Sequence, residues 1–506
     1  MANPVDYSDV QGLLRFGYNS LTEATFLLLR IRDAAAASAW IAAAPITNAI
    51  ELDQAPATAL QIAITRQGLE ALRVPANVIA GLADEFISGM CGEENRSRRL
   101  GDIGANAPEY WRWGVGEKIP HVLAMLYARK GQLASFAETI KGPSWQVAFD
   151  VLDALPTSDL QGVEPFGFTD GISQPTLDWR QLRTAATQAV YTNDSCLGEF
   201  LLGYQNEYGR YTDRPLLPAT ASNAGLLDAP DAPGMRDLGR NGTYLVFRQL
   251  QQDVRGFWQF VNGQAKGDTP ARERLAGAMV GRTRQGDPLE MASGAIAGVG
   301  KSMPSNQFNY DSDADGRRCP FGAHIRRANP RNADFPAGTS GLFSELLHNL
   351  GFTKVGFRED IMSSTRFHRL LRRGREYGPG LSTEQALQPD YPDSQEHGIN
   401  FICLNANISR QFEFVQGAWL MNTKFNGMNG ESDPLLGNRQ PIPGCPVTSS
   451  FLIPQEHGAA RRVESLPRFV TVRGGAYFFL PGLRALKFLC SYAKPSADED
   501  KIRAVN

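Results

Sequence analysis

The chain predicts an α+β fold: two ferredoxin-like units with largely antiparallel sheets, their helices and long loops packed around a pocket. Three observations predict it. Short apolar runs alternate with helix-forming runs over residues 24–155. The same rhythm returns after residue 243. Irregular stretches, about 290–345 and 373–398, interrupt the second rhythm, and loops of that length in a compact protein usually serve a site. The chain thus divides into an N-terminal ferredoxin-like domain (1–160), a loop-rich segment (161–242) and a C-terminal ferredoxin-like domain (243–506) that would hold the pocket.

The elements follow in order. "TFLLLRI" (Thr25–Ile31) is an apolar run of strand length, and "AAAASAWIAAA" (Ala34–Ala44) is a strong helix former. "ALQIAIT" reads as a strand, "GLEALRV" as a helix start and "HVLAMLYA" as a strand. "GQLASFAETI" then reads as a helix and "WQVAFDVL" (Trp145–Leu152) as a strand. This β-α-β-α-β-α-β order fits a ferredoxin-like unit with one element shifted and its helices on one face. The Pro/Gly/Asp-rich stretch Tyr208–Gly242 is loop-like. The second unit starts with the strand "TYLVFRQL" (Thr243–Leu250) and a helix from Asp253. "INFICLN" (Ile399–Asn405) reads as a strand and Ile408–Leu420 as a helix. "FVTVRG" and "AYFFLP" read as two strands around a Gly-Gly turn. Arg366–Arg373 reads as a helix end stopped by Gly374.

Bulk composition excludes several function classes. The 506 residues are 42% hydrophobic and 21% charged, with a net charge of −2. No field of that size recruits nucleic acid or an anionic membrane, and the basic cluster Arg369–Arg375 is too local to change this. The N-terminus lacks a basic region followed by an apolar one, and Ala34–Ala44 is too short to span a bilayer. The simplest expectation is a cytoplasmic chain; a mature secreted chain carrying an added Met is the other reading. The six cysteines (Cys91, Cys196, Cys319, Cys403, Cys445, Cys490) form no CxxC pair, so reduced and mostly buried thiols are expected.

Only six histidines are present, with no HExxH or HxH spacing, so a multi-histidine metal site lacks support. His324 stands out in "CPFGAHIRRANPR" (Cys319–Arg331). A lone histidine suits the axial position of haem, and Arg326 and Arg327 beside it suit the haem propionates. A structural histidine in a basic loop is the competing reading. A second stretch, "PFGFTDGISQP" (Pro165–Pro175), sets Asp170 between Gly167 and Gly171 in what reads as a tight turn.

"GFTDGISQP", "CPFGAHIRRANPR" and "LLRRGREYG", in that order, resemble the three signatures of dye-decolorizing peroxidases; the first carries that family's GxxDG motif. "DYSDVQGLLRFGY" and "FEFVQGAW" resemble family segments too, and the resemblance covers nearly the whole chain. The extended loops resemble the family's larger members. The resemblance implies His324 as the axial ligand of one haem b per chain, with Glu413 as the acceptor for its second ring nitrogen. It implies Asp170 as the distal proton shuttle and Arg372 as the distal cation, with Arg373 as the alternative register. Ile172, Ile399 and Phe401 would line the pocket; Ile399 and Phe401 are two apart on a strand and share a face. His368 would reach a propionate, or merely sit on a helix surface. Trp419 and Tyr377 match positions used for surface electron transfer in some fungal relatives. Against this, Ile408, Phe412, Val415 and Trp419 form one helical stripe, which is more often core.

"DSDADG" (Asp311–Gly316) imitates an EF-hand start, but the required acid would fall on Gly322, which leaves a polar turn or an unassigned additional cation site. The implied function is a haem peroxidase reducing hydrogen peroxide and oxidising dyes, phenolics or similar organic reductants through a ferryl state. The expected protein is a monomer or homodimer without nucleic acid or membrane partners. A haem-binding or haem-delivery protein is the alternative; it needs His324 and propionate contacts but no distal shuttle.

Overall fold

The computed structural model describes residues 4–183, 192–290, 306–331, 364–440 and 449–493. Of the predicted irregular segments, 291–305 and 332–345 lie outside the described residues, as do Cys445 and His348.

Strands form where the apolar runs stand. The first half supplies β1 (Glu23–Ile31), α1 (Ala34–Ala43), β2 (Thr58–Ile64), β3 (Val122–Ala128), α2 (Leu133–Lys141) and β4 (Phe149–Pro156). The second supplies β5 (Thr243–Gln252), α3 (Val254–Gln264), α4 (Thr269–Val280), α5 (His324–Ala328), β6 (Leu371–Arg372), β7 (Arg375–Tyr377), β8 (Gly398–Asn405), β9 (Val470–Leu480) and α6 (Leu483–Ser491). The first four strands lie in the order β4-β1-β3-β2, and the later ones in the order β9-β5-β8 with β6 and β7 both outside β8. Each half therefore has the same antiparallel order, fourth-first-third-second, of a ferredoxin-like unit. The halves join edge to edge where Phe479 of β9 faces Ile64 of β2, giving one nine-stranded sheet.

Both faces of this sheet are covered, which is why its strands are continuous apolar runs rather than alternating ones. Leu27 and Leu29 pack under Trp40 and Ile41 of α1 and Leu486 and Leu489 of α6. Their neighbours Phe26 and Leu28 face the other way, onto Leu13, Leu14, Phe200 and Leu201. Helices thus cover one face, and the N-terminal segment and the loop-rich segment cover the other. Among the described residues no helix is long and apolar enough to cross a membrane, and Cys91, Cys319 and Cys403 are free thiols.

Four expectations are corrected. Trp145–Ala148 is a helical turn, and the strand begins at Phe149. The Gly-Gly pair is not a turn: β9 runs straight through it, with a register shift against β5 between Val472 and Gly474. Glycine is needed there because a Cβ on Gly474 would come within 2.6 Å of the Trp113 indole. Arg366–Arg373 is not a helix end; a 3-10 turn, Ser364–His368, leads into β6. The predicted helix Ile408–Leu420 is wound as two π-helical segments, Ser409–Glu413 and Val415–Leu420.

Candidate active site

A cavity of about 630 Å³ lies on the second half of the sheet. Leu250, Ile399, Phe401 and Val472 form its sheet wall, and Phe412, Val415 and Leu420 of the π-helical segments close it from above. Ile399 and Phe401 share a face, as their spacing in β8 requires, and Ile172 also lines the cavity.

Asp170 is presented by a loop that closes tightly on itself. Its N–H donates to the Gly162 carbonyl at 3.1 Å, and the flanking Gly167 and Gly171 have φ of +91° and +79°, where only glycine is unstrained. Arg372 comes from β6, paired with Cys403 of β8. Its Nη1 donates to Asp170 Oδ1 at 2.8 Å, and its backbone N–H donates to Gln174 Oε1 at 3.0 Å. Arg373 instead donates from Nε to the Leu13 carbonyl at 2.8 Å, so Arg372 is the arginine that meets Asp170. The paired side chains keep 32% (Asp170) and 30% (Arg372) of their surface exposed, and both line the cavity. Burial disfavours the Asp170 charge, but Arg372 and the Gly171 N–H outweigh it and hold the carboxyl below its ordinary value.

His324 opens α5 and also lines the cavity. Its Nδ1 lies 2.9 Å from Oδ2 of Asp433, a side chain with 0% exposure. The other Asp433 oxygen accepts the N–H groups of Leu435 (2.9 Å) and Leu436 (2.8 Å). Burial favours the neutral carboxyl, but His324 and these donors prevail and hold Asp433 below the usual carboxylate range. An ionised Asp433 makes Nδ1 the donor and leaves the Nε2 lone pair for a ligand. Burial opposes charge on His324 as well, yet the Asp433 carboxylate raises its pKa above the ordinary value.

Several expected residues stand elsewhere. Glu413 is not the partner of His324; it is ion-paired with Arg96 (2.7 Å) and accepts from Arg99 (3.0 Å) and Tyr477 (2.9 Å). Arg326 cannot reach the cavity: it is 1% exposed and bonded to Asp313 Oδ2 at 2.9 Å and the Cys319 carbonyl at 2.7 Å. That bond, with the Arg318 and Cys319 N–H groups on the same carboxylate, makes "DSDADG" a polar turn that braces the histidine loop. Trp419 and Tyr377 are 7% and 9% exposed, so neither is a surface side chain. Trp419 lines the cavity, packed edge-on to His368 and Phe414, and Tyr377 donates to Glu396 at 2.9 Å. His368 does line the cavity, with its Nδ1 on the Arg410 carbonyl; burial lowers its pKa to about 4.

Sequence reasoning missed Asp433, which lies 109 positions from His324. Its local context, an acid before a proline, signals only a turn. It also missed Arg282, Arg331 and Arg369, which are among the cationic residues lining the cavity. Two acids at the cavity went unread as well: burial pushes Glu164 and Glu376 each up to about 7.

The donor set fits a haem. Among the described residues no group of three or more His, Cys, Asp or Glu could hold a metal ion. An iron bound through His324 would therefore need its remaining donors from the cofactor itself. The apolar walls, the arginines in the lining and a volume within the ordinary range for ligand pockets suit a flat macrocycle with carboxylate arms.

An acid–arginine pair and a carboxylate-held histidine thus line one cavity. No family model matches the chain. The multifunctional dye peroxidase DyP2 of an Amycolatopsis species is 30% identical over 348 residues, which are 66% of this chain and 62% of that one. Peroxidase 2 of Mycetinis scorodonius is 27% identical over 96% of this chain and 87% of its own length. A solved decolorizing peroxidase from Auricularia auricula-judae superposes with a TM-score of 0.70 at 22% identity, covering 96% of this chain and all of the other. The chain is thus similar, over most of its length, to dye-decolorizing peroxidases.

Proposed function

We propose that this chain is a haem peroxidase that reduces hydrogen peroxide and oxidises dyes, phenolics or similar reductants in one-electron steps. The observation that carries this reading is the Asp170–Arg372 pair, 2.8 Å apart, at the same cavity as the Asp433-held His324. A haem carrier has no use for such a pair. The dye substrates rest on the names of the relatives.

One haem b would sit between these walls, held by His324 Nε2, with Arg282, Arg331 and Arg369 near its carboxylates; it supplies the redox-active iron. Reduction of hydrogen peroxide to two waters consumes two electrons and two protons. Asp170, kept ionised by Arg372, takes the proton from one peroxide oxygen and returns it to the other as the O–O bond breaks. The Arg372 guanidinium, a donor with no acceptor site, stabilises charge on the departing oxygen rather than acting as a base. Ile172, Ile399 and Phe401 keep this corner small and apolar, so bulky reductants are kept from the reacting oxygen.

The test is the haem-loaded protein mixed rapidly with hydrogen peroxide. A fast Soret change followed by dye bleaching supports a peroxidase. A normal Soret band that does not respond to peroxide supports a carrier, and no Soret band after haem supplementation removes both.

A further inference from the structure

Glu164 is a cavity-lining acid that the mechanism above does not use. The segment around it is nearly self-contained. Val163 bridges Thr169, the Glu164 N–H donates to the Phe168 carbonyl at 2.9 Å, and the Gly167 N–H donates to the Glu164 carbonyl at 2.7 Å. Its own carboxylate sits at the centre. Oε1 accepts the Phe168 N–H at 3.0 Å; Oε2 accepts the Phe166 N–H at 3.0 Å and Gln252 Nε2 at 2.8 Å. Gln252 ends β5, so the third bond ties the Asp170 loop to the central sheet.

Among the described residues Glu164 has no ion-pair partner, and a buried carboxylate without one is costly. What it gains is hydrogen bonding: three donors converge on two oxygens, which suits an ionised carboxylate with its four lone-pair sites. An amide in the same place has one oxygen and one NH2, so either orientation sets donor against donor.

We propose that the Glu164 carboxylate is the latch that holds the Asp170 loop in register with Arg372, which makes Glu164 a positioning residue for the peroxide step. This rests on the reading of Asp170 as the proton shuttle. Two details support the latch. Phe166 lies only four positions before Asp170, so losing the two amide bonds loosens the loop close to the acid, leaving it to the bonds of Thr169 to Arg284 and of the Asp170 N–H to Gly162. Gln252 commits its amide donor to Glu164, while its Oε1 is buried without a partner among the described residues.

The experiment compares wild type, Glu164→Gln, Gln252→Leu, Asp170→Asn and the Glu164→Gln/Asp170→Asn double variant, all haem-loaded. Amide hydrogen exchange is followed over residues 165–171, and the rate constant with hydrogen peroxide is measured beside the KM for the reductant. Glu164→Gln should speed exchange of the Phe166 and Phe168 amides by about tenfold, the equivalent of one lost buried hydrogen bond. It should slow the peroxide step by a similar factor and leave the reductant KM unchanged. In the Asp170→Asn background it should cost nothing further. Gln252→Leu removes only the sheet tether and should show the same direction of change; it also serves if Glu164→Gln fails to fold. Unchanged exchange in the folded variants, or an equal loss of rate with and without Asp170, overturns the latch. An unchanged peroxide rate in Asp170→Asn alone overturns the shuttle reading, while the exchange result still decides whether Glu164 holds the loop.

Discussion

Arg372 sets the pH range in which Asp170 can act as a base. By holding the carboxyl below its ordinary value of ~3.9, it keeps the base form present in mildly acidic solution. The base is lost only as pH falls through that lowered value. As far as Asp170 alone sets it, the peroxide rate constant is therefore expected to hold as pH falls until that lowered value is approached, and to drop below it. Arg372→Leu should move the fall to higher pH, which a stopped-flow pH profile reads directly. On the other wall, Asp433→Asn replaces an anion with a neutral acceptor. Haem affinity or activity should drop roughly ten- to hundredfold, and the midpoint potential should move to a more positive value, by haem titration and spectroelectrochemistry. At this scale the sequence was partly legible. Asp170, Arg372 and His324 sit in distinctive neighbourhoods, and the structure gathers all three at one cavity. Asp433 and Glu164 carry no such mark, because what recommends them is their hydrogen-bond partners, and those exist only after folding.

Among the elements, the arginine-rich run before Gly374 shows how tertiary pairing overrides propensity. Leu and Arg favour helix, but β8 offers an edge, and Leu371–Arg372 pairs with it. Gly374 lets the chain stay close between β6 and β7: a Cβ there would lie 2.6 Å from the Asn400 carbonyl oxygen. Gly374→Ala should therefore cost about 1–3 kcal/mol, seen as a lower thermal midpoint, and should weaken the peroxide step by displacing Arg372. The glycine pair in β9 misled in the opposite way. Gly-Gly signals a turn, yet here it admits the Trp113 ring beside a continuous strand. The long strands were legible because both their faces are buried and they show as unbroken apolar runs.

The whole molecule repeats one topology twice, and that was legible as a repeated rhythm. The joint between the halves was not, since a single pairing, Phe479 with Ile64, makes it and no local pattern marks it. Buried ion pairs across sequence-distant segments bind the assembly further. Arg248 of β5 holds Asp102 from 146 positions away, with both side chains nearly fully buried. Arg248→Met would strand that carboxylate, at an expected cost of about 3–5 kcal/mol in denaturant unfolding. Burial already raises the Asp102 pKa in the folded protein despite Arg248. The variant's deficit should therefore be smallest at low pH, where the carboxyl is protonated in both folded proteins, and should grow as pH rises through the wild-type folded value towards the variant's still higher one.

The most direct test of the central claim is the rate constant for hydrogen peroxide with haem-loaded wild type and Asp170→Asn, followed at the Soret band. A proton shuttle at Asp170 predicts a fast wild-type reaction and a loss of about 10²–10⁴-fold in the variant, with the haem spectrum before mixing unchanged. Equal rates in the two proteins would contradict it.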